Sequence, residues 1–194
     1  IMGQVLTAGG GQNPARQAAI NAGIDISKPA HIINQVCGSG LRAVISGYQS
    51  IKLGEVKSVI SGGQENMSLA SHSIFFRDNK KISEEQLVDT MINDGLIDAF
   101  NNYHMGVTAE NVAKKFNISR DEQDDFALNS QKKTEAAIGI NRFDEELIKI
   151  NQNGYIIDKD EHPRKGILKS DLQKLKTVFL NDGTVTPGNS SGII

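Results

Sequence analysis

Between His31 and Gly63 the apolar pattern changes period twice, and this restricts the fold more than any other feature of the chain. His31 to Val36 is a short β-branched run, which predicts a strand. From Leu41 to Leu53 the spacing becomes helical. Leu41, Val44, Ile45, Tyr48 and Ile51 fall on one face, and Gly54 ends the run. Val56 to Ile60 predicts a second, buried-type strand, closed by Gly62 and Gly63. Strand, helix and strand in direct succession require a parallel pair joined by a right-handed crossover. The fold class expected is therefore α/β.

The flanks fit around this unit. Met2-Gly3-Gln4-Val5-Leu6 reads as strand interior or strand end. Residues 12–23 predict a helix with Asn13 as N-cap, Pro14 at the first helical position and Gly23 as C-cap. Ile24 to Pro29 is a connection. After Gly63 the texture becomes polar and irregular through residue 106, including Arg77-Asp78-Asn79-Lys80-Lys81. Two helices follow, one over Thr108 to Phe116 with Thr108 as N-cap candidate. The other opens on the capping-box pattern Ser119-Arg120-Asp121-Glu122 and runs to about Ala137. Residues 141–180 are polar, with short apolar runs at Leu147 to Ile150 and Tyr155 to Ile157. This is an excursion from the α/β core rather than a second copy of it. The chain begins at Ile1 and stops at Ile194, just after a Gly/Ser turn, and both ends read as cuts. A targeting peptide upstream is then not visible.

Composition excludes several classes. With 194 residues and 38% hydrophobic content, the chain can bury one core, with or without an appendage. Its 21 Lys+Arg against 23 Asp+Glu, net -2, offer no basic surplus for nucleic acid. No apolar run is long enough to cross a bilayer. A single cysteine excludes an internal disulfide and a cysteine-rich zinc site, and fits a reducing compartment.

That cysteine lies in Asn34-Gln35-Val36-Cys37-Gly38-Ser39-Gly40, at the joint between predicted strand and predicted helix. Unpaired N–H groups at a helix start carry partial positive charge and favour a thiolate, the nucleophilic form. Gly38 and Gly40 let the backbone turn and a substrate carbonyl approach. The Cys37 amide N–H is then available to an oxyanion. The competing reading is a buried structural cysteine, the usual fate of a lone Cys. Local chemistry alone divides evenly between the two.

The wider pattern decides for the nucleophile. Residues 34–43, ending Leu41-Arg42-Ala43, resemble the nucleophile motif of the thiolases, and other stretches match that family in order. These are Gly11-Gln12-Asn13-Pro14-Ala15-Arg16-Gln17, then Gly62-Gly63-Gln64-Glu65-Asn66-Met67-Ser68, then Tyr103-His104-Met105-Gly106-Val107-Thr108-Ala109-Glu110. Next come Ser119-Arg120-Asp121-Glu122-Gln123-Asp124 and Asp160-Glu161-His162-Pro163-Arg164. Last is Gly183-Thr184-Val185-Thr186-Pro187-Gly188-Asn189-Ser190-Ser191-Gly192. The resemblance covers essentially the whole chain, and is to the type II-like acetyl-CoA acetyltransferases.

It implies a thiolase-like fold: the N-terminal catalytic half, layered α-β-α, with an inserted loop domain. Residues 1–63 would be partial core with the nucleophile turn, 64–182 the loop domain forming the CoA and acyl channel, and 183–194 a return to the core. It implies ping-pong acyl transfer through a thioester on Cys37, either condensing two acetyl-CoA to acetoacetyl-CoA or cleaving 3-ketoacyl-CoA with CoA. Coenzyme A thioesters are then substrates, with no separate cofactor and no metal. By motif position, His104 and Met105 resemble residues lining the pantetheine and acyl channel, and Leu96 an apolar residue covering it. Ser191 resembles the serine contacting the pantetheine amide, Phe179 a ring packed near it, and Arg164 a residue near the nucleotide end of CoA.

Each has a plainer alternative. His104 could be a satisfied structural histidine, Leu96 and Phe179 plain core, Arg164 a solvated arginine, and Ser191 a turn residue. His31, His72 and His162 read as structural or exposed. Two positions depart from the family pattern: Pro187 stands where a small residue is usual, and Gln64 where Met is common. The resemblance further implies a homo-oligomer, dimer or tetramer, in fatty-acid and lipid metabolism, with neither nucleic acid nor membrane as partner and a cytoplasmic location. In the family the activating His of a Gly-His-Pro motif, the acid–base Cys of a Cys-x-Gly motif and an oxyanion-water Asn belong to the second half. Competing readings are a catalytically incomplete remnant or assembly module, a β-ketoacyl synthase and a redox-sensor cysteine. The match around Tyr103-His104-Met105-Gly106 disfavours the synthase.

Overall fold

The computed structural model describes residues 1–76 and 87–193, so the Arg77 to Lys81 run lies outside the described residues. The chain divides into two compact units, Ile1–Asn102 and Tyr103–Ile194.

The first unit is built on a three-stranded parallel sheet. Strand β1 (Met2–Gly3) lies between β2 (Ile32–Ile33) and β3 (Gly62–Gly63), with Met2 facing both Ile32 and Gly62. The two strands flanking the helix are therefore parallel but not paired with each other, because β1 occupies the place between them. The second strand also begins later than the apolar run suggests, since Val56 to Val59 form no ladder. Ladder bonds need a facing residue, and β1 offers its groups to Ile60 through Gln64: the Ile1 amine donates to the Ile60 carbonyl at 2.8 Å and Gln64 N–H to Gly3 at 3.0 Å.

Helix α1 (Pro14–Asn21) starts as expected, with the Asn13 carboxamide accepting from Arg16 N–H and Gly23 in the left-handed region after the last turn. Helix α2 (Ser39–Lys52) lies across all three strands. It does so through a face of small residues, Ser39, Ala43 and Gly47, all buried. The approach is close enough that a Cβ on Gly3 would stand 2.4 Å from the Ser39 backbone. The apolar face of α2 points the other way: Leu41 is 69% and Tyr48 62% exposed, and Val44, Ile45 and Ile51 are exposed as well. The helical period was legible, but which face meets the sheet is set by how closely small residues let the two backbones approach.

Residues 64–102 hold to this unit by specific bonds. The Glu65 carboxylate accepts from Val5 and Leu6 N–H, Gln64 donates to Gln4, and the Ser71 hydroxyl donates to the Ala8 carbonyl. The boundary between compact units thus falls after Asn102, whereas the family resemblance places the start of an insertion after Gly63. Strands β4 (His72–Ser73) and β5 (Val88–Asp89) pair antiparallel, and a π-helical turn spans Met91–Leu96.

The second unit is helical with one hairpin. Helix α3 (Met105–Phe116) begins three residues before the expected Thr108 cap, because the His104 imidazole caps it instead. Thr108 sits inside the first turn, with its hydroxyl buried and unpartnered among the described residues. Helix α4 (Arg120–Gly139) opens on the expected capping box between Ser119 and Glu122. Strands β6 (Ile150–Gln152) and β7 (Tyr155–Ile157) form a hairpin through Asn153 and Gly154, both at positive φ, as a tight Asn-Gly turn requires. Helix α5 (Lys169–Gln173) packs on α4. The core here contains Ala113, Leu128, Leu172 and Val185, but also the buried polar residues Glu110, Asp124 and Thr186.

Candidate active site

Cys37 is exposed, two residues before the first residue of α2. The turn presenting it is built from its own neighbours. The Asn34 side chain accepts from Val36 N–H, and Gly38 N–H donates to the Gln35 carbonyl. Ser39 ties both ends: its hydroxyl accepts from Gln35 N–H at 2.9 Å and donates to the Val36 carbonyl at 2.6 Å. Within this loop Val36 is held at φ 48°, a conformation unfavourable for a β-branched residue. The strain bends the chain sharply from β2 into α2, so the thiol projects from the corner. The amide N–H groups of Cys37 and Gly40 have no protein acceptor among the described residues. Cys37 thus stands exposed just before the start of a 14-residue helix, where the N-terminal partial positive charge favours a thiolate. The alternative of a walled-in structural cysteine does not describe this exposed sulfur. Leu96, also in the first unit, is half-buried at the end of the π-helical turn.

The other five candidates lie in the second unit. His104 Nδ1 accepts from Gly106 N–H at 3.0 Å, which places the ring proton on Nε2. Its ring stacks on Phe179 with centroids 4.8 Å apart and planes 21° from parallel. Gly106 lies under the same ring, with no room for a Cβ beside Phe179. His104, Phe179 and the start of α3 thus form one assembled patch, and the neighbouring Met105 is 37% exposed. Arg164 is exposed and bound through its backbone N–H to the Gln131 side chain. Ser191 is exposed, and its hydroxyl makes no hydrogen bond among the described residues. His31 and His72 are exposed, and His162 is half-buried against Gly192.

Sequence reasoning missed the residues that hold this patch in place. The buried Glu110 carboxylate accepts from the N–H groups of Thr184 and Val185, each at 2.8 Å, and from the Thr184 hydroxyl at 3.0 Å. Burial opposes its charge, but these donors outweigh burial and hold the carboxyl below the usual glutamate range. Asp124, fully buried, pairs with Arg120 at 2.8 Å and accepts from the Asn189 amide, while Arg120 also donates to the Leu172 and Leu175 carbonyls. The available signal was spacing. Gly106, Glu110 and Ala113 share one buried face of α3, and an acid among small residues on such a face needs a partner.

Among the described residues no cluster of three His, Cys, Asp or Glu could hold a metal ion, and no helix is long and apolar enough to cross a membrane. Two open depressions, about 800 Å³ beside Arg16 and Gln17 and about 650 Å³ beside Lys114 and Asp182, are not lined by Cys37.

Comparison with known proteins identifies the family. The family model for the thiolase N-terminal domain matches residues 1–194. An acetyl-CoA acetyltransferase of Rhizobium meliloti is 50% identical over 197 residues, covering 100% of this chain and 50% of that protein. One of Allochromatium vinosum is 52% identical over 199 residues, and a probable acetyl-CoA acetyltransferase of Escherichia coli K12 is 49% identical over 198, each with 100% of this chain and 50% of the relative covered. The chain spans about half the length of the curated relatives it matches. A strained turn presenting one exposed cysteine to a helix start, inside a sequence that matches along its whole length, places this chain in the thiolase family, over that family's N-terminal domain.

Proposed function

We propose that the protein to which this chain belongs transfers acetyl groups between coenzyme A thioesters through a thioester on Cys37. The observation that carries the reading is the exposed Cys37 thiol at the corner before α2, where the amides of Cys37 and Gly40 have no protein acceptor among the described residues. The Cys37 sulfur, as thiolate, attacks the carbonyl carbon of acetyl-CoA. Its S–C bond forms as the C–S bond to CoA breaks, the oxyanion meeting main-chain N–H groups and CoA leaving as its thiolate. In condensation a second acetyl-CoA gives up an α-proton. Its α-carbon bonds to the acetyl carbonyl, releasing acetoacetyl-CoA and the Cys37 thiolate. Thiolysis of 3-ketoacyl-CoA runs the same bonds backwards. Cys37 is the only cysteine here, so the α-proton moves to a group other than a second thiol of this chain.

In this reading Leu96, His104, Met105, Phe179 and Ser191 are each residues of the kind that meets pantetheine or the acyl group, and Arg164 is of the kind that meets the nucleotide end. The His104 Nε2–H and the Ser191 hydroxyl make no hydrogen bond among the described residues and are the groups offered to a ligand in this reading. No metal or separate cofactor takes part, and the intact protein works as a dimer or tetramer in fatty-acid and lipid metabolism in the cytoplasm. The test is intact-mass analysis, after exposure to acetyl-CoA, of the whole protein to which this chain belongs. One acetyl group should be gained, removable by hydroxylamine and absent from Cys37→Ala. A folded whole protein that gains none overturns the reading.

A further inference from the structure

Glu110 is a charged group in the core of the second unit for which acyl transfer has no use. It lies less than two turns along α3 from His104. Among the described residues its carboxylate pairs with no cation but with the 184–185 segment, taking the N–H groups of Thr184 and Val185 and the Thr184 hydroxyl. Those residues close a loop whose other limb carries Phe179: Val178 N–H donates to the Val185 carbonyl at 3.2 Å and Gly183 N–H to Leu180 at 3.1 Å. Phe179 in turn stacks on the His104 imidazole and rests on Gly106, where a Cβ would collide with the ring. The path from Glu110 through the loop to Phe179 and back to His104 is thus closed on α3 itself. Its elements are two hydrogen-bonded chain crossings and one stacked pair.

We propose that Glu110 is a positioning residue: by clamping the 178–185 loop onto α3 it makes Phe179 hold the His104 ring in one orientation, with Nδ1 toward Gly106 and Nε2–H outward. The clamp stands on these contacts alone. Its importance for substrate rests on the reading of His104 as a channel residue, because an outward N–H of fixed direction is what a thioester or amide carbonyl would require. A carboxylate suits the task because it accepts several donors at once, and stronger bonds form when the acceptor is charged.

The experiment follows the histidine rings by nitrogen-edited NMR on the full chain, above the ordinary imidazole range so that the rings are neutral. In the unaltered chain His104 should show a protonated Nε2, a bare Nδ1, and ring protons shifted by the Phe179 ring current. Glu110→Ala should lose the ring-current shift and average the two tautomers, while circular dichroism keeps its helical signal. Glu110→Gln, which retains an accepting oxygen, should restore part of the shift. A folded Glu110→Ala chain with unchanged His104 signals overturns the proposal. If that variant does not fold, Thr184→Val and Phe179→Leu decide. Both should weaken tautomer selection, Phe179→Leu more strongly, and unchanged signals in both also overturn it. Titration with acetyl-CoA separates the two claims. His104 signals that respond to Glu110 substitution but not to acetyl-CoA leave the clamp standing and remove the channel role. Signals that respond to acetyl-CoA but not to Glu110 substitution do the opposite.

Discussion

The corner that presents Cys37 and the clamp that holds His104 and Phe179 solve the same problem, orienting a side chain, by opposite means. The Cys37 corner closes over residues 34–39, with each bond spanning at most four residues, and only Ser39 of it is buried while Asn34 to Cys37 are exposed. It includes a strained Val36. The clamp is built from bonds across 74 and 75 residues, in a buried setting with charged acceptors. A short exposed loop can tolerate local strain because little else depends on it. A buried polar network must be completely satisfied, because each orphaned donor costs about 1–3 kcal/mol.

Mutations should separate the two regions by size of effect. The largest is expected for Arg120→Ala, which leaves the buried Asp124 carboxylate with only the Asn189 amide as a side-chain donor. A loss of roughly 3–5 kcal/mol in urea unfolding is expected. A loss under about 1 kcal/mol would break the contrast, because the network would then behave like a surface pair. Glu110→Ala comes next, at roughly 3 kcal/mol, as it orphans the N–H groups of Thr184 and Val185.

Glu110 also supplies a pH signature. Its folded value lies below the ordinary 4.5, so its contribution is present above the unfolded value and is lost as pH falls through the folded one. Unfolding free energy measured from neutral pH down past 4.5 should therefore fall more steeply in the native sequence than in Glu110→Gln. Equal slopes would remove the charged state from the account.

On the other side of the comparison the effects shrink. Val36→Gly relieves a left-handed conformation worth about 1–2 kcal/mol but adds chain entropy worth about 0.5–1, so a net gain between about 0 and 1.5 kcal/mol is expected from urea unfolding. Smallest of all, Cys37→Ala should leave stability within about 0.5 kcal/mol, since the residue is exposed, while abolishing acylation. A large destabilisation there would show that the corner carries the fold after all.

What could be read from the chain without coordinates follows the same division. The Ser119–Glu122 capping box, the Asn13 cap with Pro14, and the turn at Cys37 were all legible because each is decided within a few residues. Neighbouring expectations failed where a competing cap or a distant surface intervened. Thr108 has the chemistry of a cap, but the His104 ring reaches Gly106 N–H first and stacks on Phe179, far along the chain. Leu41 to Ile51 have the spacing of a core face, yet the small residues on the opposite side of α2 meet the sheet. The strand–helix–strand pattern was correct in order, but it did not show that β1 would take the place between β2 and β3.

The sequence by itself determined the capped starts of α1 and α4, the parallel α/β character of the first unit, the family, and the identity and setting of the candidate nucleophile. Only the tertiary structure decided strand order, the buried face of α2, and the hydrogen-bond partners of Glu110, Asp124 and Asn189. The physical reason is the range of the forces involved. Caps, turns and backbone strain are settled among residues that are neighbours in the chain. Desolvated carboxylates acquire their meaning from donors that only folding brings to them.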